Sequence, residues 1–169
     1  MQLLVIRHAI AEDPDAFAAT GLDDGQRPLT ARGRRRMRLA VRGLRALVRR
    51  LDLLAASPLV RARQTADIVA AGYRRSLRVE LDALTPGAAP EEFLTWLGQQ
   101  TGRDVVAAVG HEPSLSALVT WLVAGRTEPV VIELKKGAAC LIDFPGPVVA
   151  GSGVIHWAVT PGQLRRLGA

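Results

Sequence analysis

Arg7 and His8 directly follow the apolar run Leu3-Leu4-Val5-Ile6, and polar sequence with Glu12, Asp13 and Asp15 comes soon after. A guanidinium is a planar fork of donors that matches phosphoryl or carboxylate oxygens, and an imidazole beside it serves as nucleophile, acid or base. Two further stretches offer the same residue types. Ser57-Pro58 follows Leu53-Leu54-Ala55-Ala56 and precedes Arg61, while Gly110-His111-Glu112 closes the run Asp104-Val105-Val106-Ala107-Ala108-Val109. Each run is short, bounded by turn residues, and reads as a buried parallel strand. Parallel strands deliver all of these polar residues to one sheet edge, where open α/β folds bind their ligands.

Ser57 reads as a helix N-cap with Pro58 at the first helical position. That start turns backbone amides and the positive end of the helix dipole toward the same edge. Arg61, in the first turn, leans back over it. Two arginines and two histidines in one small volume repel each other unless an anion joins them. Phosphate fits best, its oxygens clamped by Arg7 and Arg61 and contacted by a histidine. Zinc on His8 and His111 is the competing use of the histidines, but the adjacent arginines oppose a cation and no set of metal ligands clusters in the chain, so no metal or other cofactor is expected.

The elements that must position these residues alternate along the chain. Gln2 to Ile6 is the first strand, and Thr30, after Pro28-Leu29, caps a helix ending near Leu51. Leu53 to Ala56 is the second strand, followed by a helix to about Ala71 that stops at Gly72. Arg78 to Leu81 makes a short strand, Pro90-Glu91-Glu92 starts a helix through Phe93, Trp96 and Leu97, and the strand before His111 leads into a helix over Ser114 to Val123. Ala139 to Phe144 and Val154 to Val159, separated by Pro145-Gly146-Pro147, form a hairpin. The order predicts an α/β fold, a three-layer α/β/α sandwich with a mainly parallel central sheet and an antiparallel C-terminal hairpin edge. One domain over residues 1–169 is expected, acting as a monomer.

The net charge of +6 has a local origin. Residues 27 to 50 hold ten arginines and no acid, whereas the rest of the chain carries 12 basic and 16 acidic residues. Met37, Val41, Leu44, Val48 and Leu51 recur at helical spacing, with Arg35, Arg38, Arg42, Arg45 and Arg49 on the opposite side. This reads as the solvated face of an amphipathic helix, and without interleaved aromatics it makes a poor nucleic-acid footprint. A polyanion-binding module built on that helix is the alternative from a different class. Apolar stretches are too short to span a bilayer, and the N-terminus lacks the marks of a signal peptide. A cytoplasmic protein without membrane association is expected. Cys140 lies in the apolar run Ala138 to Ile142 and reads as a core thiol, His156 as an outward strand residue, and Trp96 and Trp121 as core. Lys135-Lys136-Gly137 reads as a surface turn on the hairpin side of the pocket.

Taken together, Arg7-His8-Ala9, Pro28-Leu29-Thr30-Ala31-Arg32-Gly33, the stretch from Ser57-Pro58 through Arg61 to Gln64-Thr65-Ala66, and Gly110-His111-Glu112-Pro113 resemble the histidine phosphatase superfamily. This is the phosphoglycerate mutase-like fold, and the short chain is most similar to its SixA-type phosphohistidine phosphatases. The four blocks occur in the family's order and span nearly the whole chain. The resemblance implies that His8 is the nucleophile that becomes phosphorylated and that Arg7, Arg61 and His111 complete the phosphate pocket. Ser57 and Glu112 are further substrate-binding candidates. Ala9 replaces the usual glycine after the histidine. Larger members carry an acid after the third strand-like segment, and at the aligned position this chain has Ala83, with Asp82 and Glu80 as neighbouring candidates for a general acid.

Without an acid, an imidazole is an easier leaving group than an alkoxide. The expected activity is therefore a metal-independent phosphatase that removes phosphate from phosphohistidine in signalling proteins, such as a histidine phosphotransfer domain. A broad small-molecule phosphomonoesterase is the enzymatic alternative.

Overall fold

The computed structural model describes residues 1–169. Strand β1 (Gln2–Arg7) buries Leu3, Leu4, Val5 and Ile6 completely, because both faces of the sheet are covered. Its side chains divide by alternation. Leu4 and Ile6 enter a core with helix α2 (Ala31–Leu47) and helix α3 (Val60–Gly72), while Leu3 and Val5 enter a second core with helix α4 (Pro90–Gly98) and helix α5 (Ser114–Ala124). Ahead of α2 lies a short helix, α1 (Pro14–Ala18), and a 3-10 turn at Asp24–Gln26. The remaining strands are β2 (Leu53–Ala56), β3 (Leu77–Glu80), β4 (Val105–Gly110), β5 (Ala139–Asp143) and β6 (Val154–Val159), and helix α6 (Pro161–Leu167) ends the chain, its Leu164 joining the α2 core.

The six strands are ordered β3-β2-β4-β1-β5-β6. The first four run parallel, whereas β5 pairs antiparallel with β1 and β6 antiparallel with β5. The expected three layers, parallel centre and hairpin edge are therefore present. Register matters most at the carboxyl ends: Arg7 lies opposite Gly110 and Ala56 opposite Val109, so the residues after β1, β2 and β4 emerge side by side.

Several boundaries differ from expectation, most by one residue. The arginine-rich helix stops at Leu47 instead of near Leu51. Val48 takes extended backbone, its carbonyl accepts the Tyr73 hydroxyl at 2.8 Å, and the chain stretches toward β2, where the Asp52 carboxylate accepts the Asp104 and Val105 amides. Val48 and Leu51 still reach the core from this extended segment, so their apolar spacing suited both conformations. Ser57 is not the N-cap of α3, a position held by Leu59 without a side-chain cap, and Pro58 lies before the helix. Ser57 instead continues the sheet pairing, its amide donating to the Val109 carbonyl at 3.0 Å. The edge strand spans Leu77–Glu80, one residue earlier than expected.

The other readings of single residues can be compared directly. Cys140 is fully buried, and burial pushes its thiol up to about 11. His156 is exposed on β6. Trp96 and Trp121 are half-buried at the margin of the α4 and α5 core, and Trp96 lies against Phe93 with ring centroids 5.6 Å apart. No helix is long and apolar enough to cross a membrane.

Candidate active site

The turn after β1 is fixed from three sides. The His8 amide donates to the Gly110 carbonyl at 3.0 Å, the Ala9 amide to Thr65 Oγ1 at 3.0 Å, and the Gly137 amide to the carbonyls of both Arg7 and His8. Thr30 caps α2 by accepting the Gly33 amide, while its own amide donates to the Ile10 carbonyl at 3.0 Å. Gly33 is required at this crossing, because a Cβ there would lie 2.0 Å from the Ile10 oxygen. The Pro28–Gly33 stretch thus braces the loop that carries His8.

His8 is 6% exposed, and its Nδ1 lies 2.7 Å from the Ala9 carbonyl. A carbonyl only accepts, so Nδ1 carries the proton and Nε2 keeps the lone pair. Burial, with smaller contributions from Arg61, Arg7 and Lys136, pulls the His8 pKa down to about 4, although the Ala9 bond opposes the shift. The ring is neutral near pH 7 and its Nε2 is available for nucleophilic attack.

His111 lies beside it, with ring centroids 5.1 Å apart. Its Nε2 is 2.9 Å from Ser57 Oγ. The Ser57 hydroxyl has no other acceptor, so it donates to Nε2 and leaves the proton on Nδ1. Burial, then His8 and Arg61, lowers the His111 pKa to about 3. Ser57 is itself fully buried and meets the site only through His111.

The two arginines are anchored by partners that the sequence did not reveal. Arg61 NH1 donates to the Asp24 carbonyl at 2.9 Å and sits 3.1 Å from that residue's carboxylate. Arg27, also buried, binds the same carboxylate at 2.6 Å and the Glu12 carbonyl at 2.9 Å. The hydrogen bond from Arg27, followed by the charge of Arg61, holds Asp24 below the usual carboxylate range. Asp24 is therefore a counter-ion and no proton donor at neutral pH. Arg7 NH1 donates to the Leu134 carbonyl at 2.6 Å.

Glu112, a substrate-binding candidate from the sequence, has both carboxylate oxygens engaged by backbone amides, those of Ser116 at 3.2 Å and Leu134 at 3.1 Å. Among buried side-chain polar atoms, those without a protein partner are Arg7 Nε, Arg61 Nε, His111 Nδ1 and, on α5, Ser116 Oγ. Three of the four belong to the residues grouped around His8. A buried donor left unpaired costs about 1–3 kcal/mol, and an oxyanion accepts from all three kinds.

Neither of the two acid candidates is fixed by a side-chain hydrogen bond. Asp82 begins the 3-10 turn Asp82–Leu84, is exposed, and makes no side-chain hydrogen bond. Glu80 sits at the sheet edge, 3.7 Å from Arg63. Ala83 lines a mainly apolar cavity of about 210 Å³ with Leu84, Phe93, Pro113 and Leu118. Lys136 was read as part of a surface turn and is exposed, but it lies close enough to His8 to depress the ring's pKa.

Residues 3–84 match the model of the histidine phosphatase superfamily, branch 1. An uncharacterized protein of Picosynechococcus sp. is 34% identical over 148 residues, which are 82% of this chain and 87% of that protein. Phosphohistidine phosphatase SixA of Escherichia coli is 27% identical over 168 residues, covering 98% and 97% of the two chains. A solved structure of the protein histidine phosphatase SixA complexed with tungstate superposes with a TM-score of 0.81 at 27% identity, covering 97% of this chain and 99% of that one.

Proposed function

The chain belongs to the histidine phosphatase superfamily, branch 1, and on that premise we propose that it is a phosphohistidine phosphatase working through a phosphorylated His8. The observation that carries this reading is the trio of unpartnered buried donors, Arg7 Nε, Arg61 Nε and His111 Nδ1, grouped around a neutral imidazole. Phosphoryl oxygens satisfy these donors, and the charge that grows on those oxygens in the transition state is stabilised by groups already in place. A SixA relative binds tungstate, a tetrahedral oxyanion of the same shape as phosphate.

In the first step His8 Nε2 attacks phosphorus in line, forming an N–P bond while the substrate's own N–P bond breaks. The departing ring, protonated on its other nitrogen, leaves as neutral imidazole. Phospho-His8 keeps its Nδ1 proton on the Ala9 carbonyl, so it is in turn a good leaving group. Water attacks phosphorus, the Nε2–P bond breaks, and inorganic phosphate departs. Neither step asks for a strong acid, in keeping with Ala83 at the cavity wall and Asp82 in solvent. An alkyl phosphate needs a proton donor for its alkoxide, a role for which exposed Asp82 is poorly held and Ala83 has no proton.

The substrate of this reading is a phosphorylated protein of the histidine phosphotransfer type in the cytoplasm. The test compares phosphate release from phosphohistidine with release from a stable alkyl phosphate, in the wild type and in His8→Ala. Phosphohistidine is expected to be the better substrate by a wide margin, with activity abolished in the variant. Equal rates on both substrates would replace the reading with a broad phosphomonoesterase.

A further inference from the structure

Next to the turn that carries His8 lies a cleft that the reaction does not use. Ala9, Ile10 and Gly33 form its floor, and Arg36, Arg165 and Lys136 stand around it. No Asp or Glu lines the cleft, and none of the three cations makes an ion pair, since the chain's ion pairs involve Arg27, Arg50, Arg61, Arg63 and Arg78. The guanidinium of Arg36 is destabilised chiefly by Arg32, with burial, Arg165 and Arg35 adding to the effect.

The fold brings these like charges together. Helices α2 and α6 pack so tightly that a Cβ on Gly43 would lie 2.0 Å from the Leu164 carbonyl, next in the chain to Arg165. Arg36 and Arg165 therefore lie on helices locked together by a crossing that only glycine permits, with nothing to neutralise them. Lys136 closes the third side from the Leu134–Gly137 segment, which is tied to the carbonyls of Arg7 and His8.

We propose that this cleft is a docking site for a carboxylate on the surface of the phosphorylated protein substrate, placed so that an acidic side chain near the phosphohistidine seats beside the His8 loop. This rests on the phosphohistidine phosphatase reading. The cleft holds about 100 Å³, well short of the roughly 300–1,000 Å³ typical of small-molecule sites, but roomy enough for a carboxylate. Ala9 and Ile10, which directly follow His8 in the chain, line the cleft, so an occupant sits beside the His8 loop. Exposed Arg32 and Arg35, whose charges act on Arg36, extend the positive surface outward, and such a field steers an acidic partner and sets its orientation.

The test uses two helical peptides, each phosphorylated on one histidine, that carry either glutamates or glutamines at the flanking positions. Wild type is compared with Arg36→Gln/Arg165→Gln. At low salt the wild type should hydrolyse the acidic peptide with a kcat/KM about 10-fold above the neutral one, mostly through KM. The double variant should lose that preference while cleaving free phosphohistidine at the wild-type rate. Raising ionic strength should erase the preference in the wild type as well.

Fluorescence anisotropy of the unphosphorylated acidic peptide gives a readout independent of catalysis, with binding to the wild type and several-fold weaker binding to the double variant. Inorganic phosphate added as competitor should displace the peptide only at concentrations that also inhibit at His8. Displacement by phosphate in a variant whose His8 site is blocked would make the cleft a free-anion site. Equal kcat/KM for the two peptides, or a preference that survives in the variant, would overturn the proposal. If no phosphohistidine is hydrolysed while the acidic peptide still binds through Arg36 and Arg165, the reaction has been misassigned and the docking site stands. Thermal unfolding of the double variant should not fall below the wild type, because the substitutions relieve like-charge repulsion.

Discussion

Glu112 and Arg7 are tied to the same residue without touching each other: Glu112 Oε1 accepts the Leu134 amide at 3.1 Å, and Arg7 NH1 donates to the Leu134 carbonyl at 2.6 Å. Glu112 thus positions Arg7 through one backbone segment, while its other oxygen accepts the Ser116 amide at 3.2 Å.

Glu112→Ala strands both amides and unties Leu134. Stability should fall by about 2 kcal/mol, within the range for buried groups left unpaired, and kcat/KM should drop as Arg7 loses its anchor. Glu112→Gln keeps one acceptor and should fall between wild type and alanine in both properties. Urea unfolding and steady-state kinetics on the same samples check this. A kcat/KM loss without a stability loss would mean that Glu112 meets the substrate directly.

Arg61 and Asp24 make a second testable pair. Arg61→Ala should lower kcat by about 10²–10³, the range seen when one preorganised donor is removed. Arg61→Lys should recover little, since an ammonium lacks the fork geometry. Asp24→Asn removes a carboxylate that competes with phosphate for Arg61. Arg61 is buried but Asp24 is more than half exposed, and solvent screening on the Asp24 side keeps the pair near the roughly 1 kcal/mol upper end for exposed pairs, so inhibition by inorganic phosphate should tighten by about 5-fold. Product-inhibition constants measure the change.

The pH dependence follows from the two histidines. Their pKa values in the folded state, about 4 for His8 and about 3 for His111, lie below the usual imidazole value of 6.5. The unfolded chain therefore binds protons before the native one does. Stability contributed by the neutral rings is complete above about pH 6.5 and is lost as pH falls toward 4 and then 3. Denaturant unfolding at pH 7 and pH 5 should show the lower stability at pH 5, and the acid limb of kcat/KM for a substrate that does not titrate in this window should lie well below 6.5.

Gly33 tests the brace behind the His8 loop. Gly33→Ala should destabilise the protein and reduce activity together, because the new Cβ would meet the Ile10 oxygen at 2.0 Å. Gly98→Ala, at the end of α4 with nothing within 4 Å, should leave both nearly unchanged. Thermal melts of the two variants compare them.

The parts of this site visible in the sequence were those attached to regular elements. Apolar runs ending at Arg7-His8, Ser57 and His111 revealed both the parallel strands and the edge where they meet, because a buried strand writes its length and its end into the pattern. Asp24 and Arg27 escaped notice because they arise from an irregular segment whose 3-10 turn has no apolar periodicity. The part played by Ser57 depends on His111, 54 residues away, and local cap chemistry alone pointed to a helix start. Leu134 acts through its backbone, to which residue type gives no clue. Val48 and Leu51 kept a helical spacing beyond the true helix end because an extended chain buries them equally well.

The most direct test is to capture the intermediate. Enzyme mixed with excess phosphohistidine, quenched in alkali within the first turnover and digested, should yield one phosphorylated peptide, with acid-labile, base-stable phosphate on Nε2 of His8 and none in His8→Ala, which should have lost activity. Phosphate on another residue, or full turnover by His8→Ala, would contradict the account.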